Sequence, residues 1–441
     1  MISELAIAAR RSVVGPRAVS ARTTLNIFRA TFAHKRGLTS HPAPTAHVDH
    51  ELAHGDKAAI LSVRRLEDAP PDVQQFSNIS NAEMVRSICH SHVPGWSNYP
   101  KDRILIDQLC EGLSNQNFKV HLDLPAEELL RDPPCVLFRI YGEGAAKLYD
   151  PELEVKVVMM LSQYGIGPRI YARNTAWRIE SWHYSVPLPN RSMKNPAIWV
   201  QMAAHLGRLH KLQARLDFPK EIGDLSSLSV TRLKEWGRTC RQTSEAFTDA
   251  YFLSRLPSSM IQEMLEERDW LAEFLVEDDP RIKGSGLDVV FSHWDAQENN
   301  VLQTLHGLRF IDFEYAGMDY QAFDIANFFA ECTIDYLVPR YPYYKVTLSD
   351  LPTEEEMRFF CSIYLSEYLE TKVLPNDLAS EVLSERAQRF MLASHLLWAF
   401  WSVIRAGQAP TFGGFDYADF ANSRWFMYKW SKRSILHRLK R

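Results

Sequence analysis

Phe291-Ser292-His293-Trp294-Asp295, then Asn300 five positions after the aspartate, then Ile311-Asp312-Phe313-Glu314, is the stretch on which the reading of this chain turns. Val289–Phe291 is an apolar strand leading into His293. Val301–Gln303 and Leu308–Ile311 read as a hairpin around His306-Gly307. That hairpin returns Asp312 to within reach of Asn300, so a carboxylate and an amide oxygen can hold one metal ion. Asp295 is then free to accept a proton from a hydroxyl, or to orient it. His293 is expected to satisfy backbone groups near Asp312, not to act as base or metal ligand. This inventory suits phosphoryl transfer, which rests on positioning and charge neutralisation and needs no covalent nucleophile.

His-x-Asp with Asn at +5, and a second Asp at the end of the next hairpin, is the order and spacing of a kinase catalytic centre. What is missing narrows the acceptor. Trp294 stands where a protein kinase has arginine, and Glu314 where Asp-Phe-Gly would end. No Ala-Pro-Glu follows. The peptide-docking and activation-loop parts are therefore absent, and a small-molecule acceptor fits better. There is no Walker A sequence and no G-x-G-x-x-G.

Upstream, Asn81–His90 reads as a helix, and Ile104–Cys110 and Asn117–Leu124 as strands. They flank Glu111-Gly112-Leu113-Ser114-Asn115, a turn whose backbone N–H groups could cover phosphates or which is an ordinary hairpin turn. Val136–Tyr141 is a strand with a cation in its middle, Arg139, which is either a charge on a solvated face or a candidate phosphate ligand. Glu152–Tyr164 is a helix carrying Glu154, the candidate ion-pair partner of Arg139. Arg169–Tyr171 and Trp177–Ile179 read as a strand pair running into Glu180, where a hinge would fall. Beyond residue 186 the pattern is mainly helical, with helices expected over Trp199–Leu212, Arg255–Val276, Glu354–Leu374 and Met391–Ile404.

The 441 residues suit two lobes plus an extension. Residues 1–75 read as a basic extension or targeting segment, 76–185 as a nucleotide-binding lobe, and 186–441 as a catalytic and substrate-binding lobe. With 50 basic and 54 acidic residues the net charge is −4, which argues against a nucleic-acid partner. The six cysteines show no C-x-x-C spacing, as in a reducing compartment such as the cytoplasm. No apolar run reaches membrane-spanning length. Arg10, Arg11, Arg17, Arg22, Arg29, Lys35 and Arg36, against the single acid Glu4, leave organelle targeting open beside a plain disordered extension.

The chain resembles the choline/ethanolamine kinase family over roughly residues 100–430. The resemblance is carried by Val136-Leu-Phe-Arg-Ile-Tyr-Gly142, Gly167-Pro168, Arg178-Ile-Glu180, His293-x-Asp295-x-Gln297-x-x-Asn300 and Ile311-Asp-Phe-Glu-Tyr315. Phe323-Asp-Ile-Ala-Asn327, Glu331, Asp335-Tyr336, Ser394-His-Leu-Leu-Trp398-x-x-Trp401 and Phe412-Gly-x-x-Asp416-Tyr417 continue it. It implies an α+β, bilobal, protein-kinase-like fold: an N-terminal lobe with an antiparallel sheet and one helix, and a larger, mainly helical C-terminal lobe. It implies ATP as co-substrate, Mg2+ as cofactor, an amino alcohol as acceptor, and often a homodimer. Asp295 becomes the base, and Asn300 and Asp312 the metal ligands. Ser114, Asn115, Arg139, Glu154 and Glu180 are placed at the nucleotide. Gln297, Glu314, Tyr315, Glu331, Tyr336, Trp398, Trp401, Phe412 and Tyr417 are placed at the amine. Aromatic faces plus one anion suit a quaternary ammonium, which has no N–H to donate, although an aromatic stripe alone would equally be a helix packing face.

Four residues at three places depart from the family pattern. Trp294 replaces Asn, Ala326 replaces Gly, and Cys110-Glu111 replaces small residues. They leave open a weakened or redirected enzyme, such as a kinase for another small alcohol; Trp294 alone invites a non-catalytic nucleotide-binding homologue. Gln297 and the Glu331-to-Tyr336 spacing resemble choline kinases, and Tyr320-Gln-Ala-Phe323 resembles ethanolamine kinases; the reading leans to choline.

Overall fold

Five short strands and one glutamate-bearing helix build the smaller lobe and the polar face that carries Arg139. The computed structural model describes residues 79–109, 115–124, 133–141, 148–188, 192–212, 218, 227–276, 288–305, 307–336, 338–408, 411–412 and 415–439. The basic segment 1–75, and Cys110, Glu111 and Ser114 of the glycine-bearing loop, lie outside the described residues.

The N-terminal lobe runs α1 (Ile79–His92), β1 (Ile104–Leu109), β2 (Asn115–Leu122), β3 (Cys135–Tyr141), α2 (Pro151–Gln163), β4 (Ile170–Arg173) and β5 (Trp177–Ser181). The strands form one antiparallel sheet in the order β1-β2-β3-β5-β4. Side chains alternate across it. Val120, Val136, Phe138 and Ile179 join Val85 and Cys89 of α1 in one apolar cluster. The opposite face holds Arg139 directly across from Arg178 in the β3–β5 register. Helix α2 starts where Asp150 accepts from the N–H groups of Glu152 and Leu153 and Pro151 takes the first helical position. It ends at Gly165, whose φ of 71° is open to glycine at little cost. It delivers Glu154 to the polar face of the sheet.

The C-terminal lobe begins with β6 (Val186–Pro187), α3 (Pro196–Lys211), α4 (Leu228–Glu245), α5 (Ala250–Arg255) and α6 (Ser258–Phe274). Then come β7 (Val289–Ser292), β8 (Val301–Thr304), β9 (Gly307–Phe310), β10 (Gly317–Tyr320) and α7 (Gln321–Glu331). Strands β11 (Ile334–Asp335) and β12 (Lys345–Val346), helices α8 (Glu354–Tyr368) and α9 (Leu378–Ala406), strands β13 (Thr411–Phe412) and β14 (Phe415–Asp416), and α10 (Tyr417–Leu439) complete it. Helix α9 is the axis, packed by α10, α7, α4 and α8. Helices α3 and α8 meet at Gly207, where an added Cβ would fall 2.7 Å from the Tyr364 carbonyl oxygen.

Three helix expectations are corrected. The helix expected over Arg255–Val276 is α6, which runs from Ser258 to Phe274; Arg255 instead closes the preceding α5, because Pro257 cannot continue a helix and restricts the residue before it. The helix expected to reach Leu374 stops at Tyr368, with Glu370 left-handed at φ 53°. Met391–Ile404 is only the second half of α9; its first half buries Arg386, Gln388 and Arg389, so hydrophobic periodicity does not mark it.

Candidate active site

The sheet β8–β9 and the loop after β7 form the centre of the site. The β8–β9 register pairs Val301 with Phe310 and Thr304 with Gly307, which brings Asp312 back beside Asn300. Asn300 Nδ2 donates to the Asp295 carbonyl at 3.0 Å and to its carboxylate at 2.8 Å. That leaves the Asn300 amide oxygen directed elsewhere. Asp312 sits in a left-handed turn with φ 64°. Its Oδ1 accepts from Arg139 Nη1 at 3.1 Å.

Asp324, in the first turn of α7, holds the loop before Asp295. Its two oxygens accept the backbone N–H groups of Trp294 and His293, each at 2.7 Å. His210 Nε2 adds a contact at 3.0 Å. His293 Nε2 donates to the Ile311 carbonyl at 2.9 Å, and its Nδ1 faces the Asp295 N–H at 3.3 Å. Burial lowers its pKa, so the ring is neutral and joins the two halves of the centre. The expected structural role of His293 matches this geometry.

Burial first, then the charges of Glu331 and Asp312, push the Asp295 carboxyl well above the usual carboxylate range. Burial and the neighbouring Asp312 do the same to Glu314. Such a crowd of carboxyl groups is stable as anions only with cations present. Hard oxygen donors of this kind suit magnesium carried with nucleotide phosphates. Among the described residues no group of three or more His, Cys, Asp or Glu could hold an ion by itself.

The expected Glu154–Arg139 pair is corrected. Glu154 Oε1 accepts from Arg178 Nη2 at 2.7 Å, and Glu180 accepts from Arg178 Nε. The reason is register. Arg178 and Glu180 lie on one face of β5, and α2 sets Glu154 over that arginine. Arg139, one strand away, is left to Asp312. Glu314 is placed between the halves of the site, with Asn115 Nδ2 3.5 Å from its Oε2. Gln297 accepts from the Asn299 N–H at 3.2 Å and thereby caps the turn that carries Asn300.

Among the residues expected at the amine, Trp401 Nε1 donates to Tyr315 Oη at 2.8 Å, and Trp398 Nε1 donates to Asn327 Oδ1 at 2.9 Å. The Tyr315 and Trp398 rings meet edge-on at 5.4 Å, and those of Trp398 and Trp401 at 5.6 Å. Tyr336 Oη donates to Glu331 Oε2 at 2.9 Å. Tyr417 packs against Trp401 at 5.5 Å and under Arg405. Phe412 is described only as part of β13, paired with Phe415.

Sequence reading missed Arg424 and Phe420. The buried Arg424 guanidinium pairs with Glu331 and donates to Tyr336 Oη at 3.2 Å. It lies 5.0 Å over the Phe420 ring, which faces Tyr336 at 6.0 Å. The available signal was an arginine four residues after an aromatic on an otherwise packed helix.

A family model described as choline/ethanolamine kinase matches residues 106–429. A choline/ethanolamine kinase of Homo sapiens is 27% identical over 382 residues, covering 83% of this chain and 91% of that protein. An ethanolamine kinase of Drosophila melanogaster is 32% identical over 303 residues, 66% of this chain and 53% of that one. The crystal structure of a choline kinase from Cryptosporidium parvum matches with a TM-score of 0.71 at 30% identity, covering 81% of this chain and 97% of that one. A Plasmodium vivax ethanolamine kinase shares the fold, with a TM-score of 0.62 at 20% identity. The bilobal, protein-kinase-like architecture and a family match over most of the chain lead to one conclusion: this chain belongs to the choline/ethanolamine kinase family.

Proposed function

We propose that this chain transfers the γ-phosphoryl group of ATP to the hydroxyl of choline or ethanolamine, the first step of making the corresponding phospholipid headgroup. The observation that carries the reading is the Asp295–Asn300–Asp312 set: Asn300 Nδ2 lies 2.8 Å from the Asp295 carboxylate, and Asp312 accepts from Arg139 at 3.1 Å.

In this reading Asp295 receives or orients the acceptor hydroxyl's proton, with Asn300 fixing the carboxylate plane. Asn300 and Asp312 would hold magnesium, which when bound neutralises phosphate charge. Arg139, paired with Asp312 here, is poised to share its guanidinium with nucleotide phosphates. Glu154 and Glu180 are paired with Arg178, and their charge favours the cationic form of the neighbouring Arg139. Trp398, Trp401, Tyr315 and Tyr336 would surround the ammonium group, and Glu331 would supply the nearby negative charge.

One observation favours choline over ethanolamine. Both Glu331 oxygens are already engaged, one by Arg424 and one by Tyr336. A primary ammonium would compete for those acceptors, whereas a quaternary ammonium needs only aromatic faces and a nearby charge. The test is ADP release with Mg-ATP and choline, ethanolamine or no acceptor. Acceptor-dependent turnover supports the reading; Mg-ATP binding without turnover on either alcohol would refute it.

A further inference from the structure

Trp294, the departure that most invites a non-catalytic reading, is tied into both halves of the acceptor side. Its φ is 76°, a left-handed conformation that a bulky residue seldom adopts. Such strain persists only where surrounding contacts over-determine it. Those contacts are present. Its indole Nε1 donates to Asp319 Oδ2 at 2.8 Å. Asp319 is completely buried and also accepts from Ser227 Oγ at 2.7 Å, Ser229 N at 2.9 Å and Ser229 Oγ at 2.9 Å. Ser227 is the N-cap of α4, so Asp319 fastens the start of that helix to the loop.

The ring itself is clamped. It stacks on Phe323 at 4.3 Å and 23°, and the Arg232 guanidinium of α4 lies over it at 4.2 Å. Arg232 also donates to the Tyr315 carbonyl at 2.8 Å. Trp398, a wall of the aromatic set, meets Trp294 edge-on at 6.3 Å. One side chain therefore touches the helix behind the site and the wall of the amine pocket, and the residue after it is Asp295.

We infer that Trp294 is a positioning residue for Asp295: its indole N–H, anchored on Asp319, fixes the left-handed bend that aims the carboxylate at the acceptor hydroxyl. The inference rests on Asp295 being the base or hydroxyl-orienting group. It turns the unusual tryptophan from a sign of lost activity into a local anchor for the loop.

The test separates the N–H from the ring. Trp294→Phe keeps an aromatic and loses the donor; Asp319 retains its serine and backbone donors. 3-Benzothienylalanine in place of Trp294 keeps the shape of the indole and lacks only the N–H, so it carries the test if Trp294→Phe does not fold. Both are expected to lower kcat by roughly 10-fold, since a slightly misplaced catalytic group costs up to about 100-fold. KM for ATP should stay within about 2-fold, because the loss is confined to the acceptor-side transition state. A pure packing role would instead be rescued by the isostere. Wild-type kcat with the isostere, or a loss confined to KM for ATP, would overturn the inference. Full activity of Asp295→Asn would overturn the underlying assignment of Asp295, and this inference with it. An inactive Asp295→Asn beside a fully active isostere would overturn this inference alone.

Discussion

Arg139 Nη1 lies 3.1 Å from Asp312 Oδ1, so a strand of the smaller lobe reaches across the cleft to the carboxylate at the end of the catalytic hairpin. Its side chain is almost fully enclosed, and the Asp312 charge favours its cationic form. A guanidinium in this position can bridge the hairpin and a phosphate.

Arg139→Met should therefore raise KM for ATP by roughly 10-fold or more, the equivalent of losing a charge-assisted hydrogen bond of about 1.5–3 kcal/mol. KM for choline should change little. Steady-state kinetics with each substrate varied in turn decides it; an unchanged KM for ATP would remove Arg139 from the nucleotide site.

Arg178 has a different consequence. It is enclosed with Glu154 and Glu180, whose carboxylates both point at it. Arg178→Met should destabilise the protein by about 3–5 kcal/mol, because breaking a buried pair strands uncompensated charge. Urea unfolding measures this. A midpoint equal to the parent's would mean that water already reaches the two carboxylates.

The two tryptophans should act on the acceptor alone. Trp398→Ala and Trp401→Ala should each raise KM for choline by roughly 10-fold or more, since a desolvated cation–π contact is worth about 2 kcal/mol. Trp401→Ala also frees the Tyr315 hydroxyl that it holds at 2.8 Å. If each variant lost only thermal stability while KM for choline stayed put, the rings would be packing residues.

With Glu331 engaged by Arg424 and Tyr336, kcat/KM should rise along ethanolamine, its N-methyl and N,N-dimethyl derivatives, and choline. A span of roughly 10-fold corresponds to about 1.4 kcal/mol. A flat or falling series would reverse the preference while leaving the reaction class intact.

What could be read from sequence was local. Asp295, Asn300 and Asp312 are close in the chain, and a short hairpin with alternating side chains is enough to bring them together. His293 was placed correctly for the same reason. The partners of Glu154 were not legible, because the choice between Arg139 and Arg178 depends on which strand lies under α2, a property of the sheet order. Arg424 and Phe420 reach Glu331 and Tyr336 from a helix more than eighty residues later in the chain. The first half of α9 hid behind its own buried arginines and glutamine. The Trp294–Asp319 contact joins a residue that departs from the family pattern to a buried carboxylate that also holds Ser227 and Ser229 at the start of α4. Nothing in the spacing of either residue announces it.

The central claim is that Asp295 acts directly on the acceptor hydroxyl. The measurement that tests it most directly is ADP release by Asp295→Asn beside the parent enzyme, with Mg-ATP and choline or ethanolamine at saturation. The account predicts a folded protein that still binds Mg-ATP and loses at least about 100-fold in kcat, the scale of positioned acid–base catalysis. Turnover at the parent's rate would contradict it.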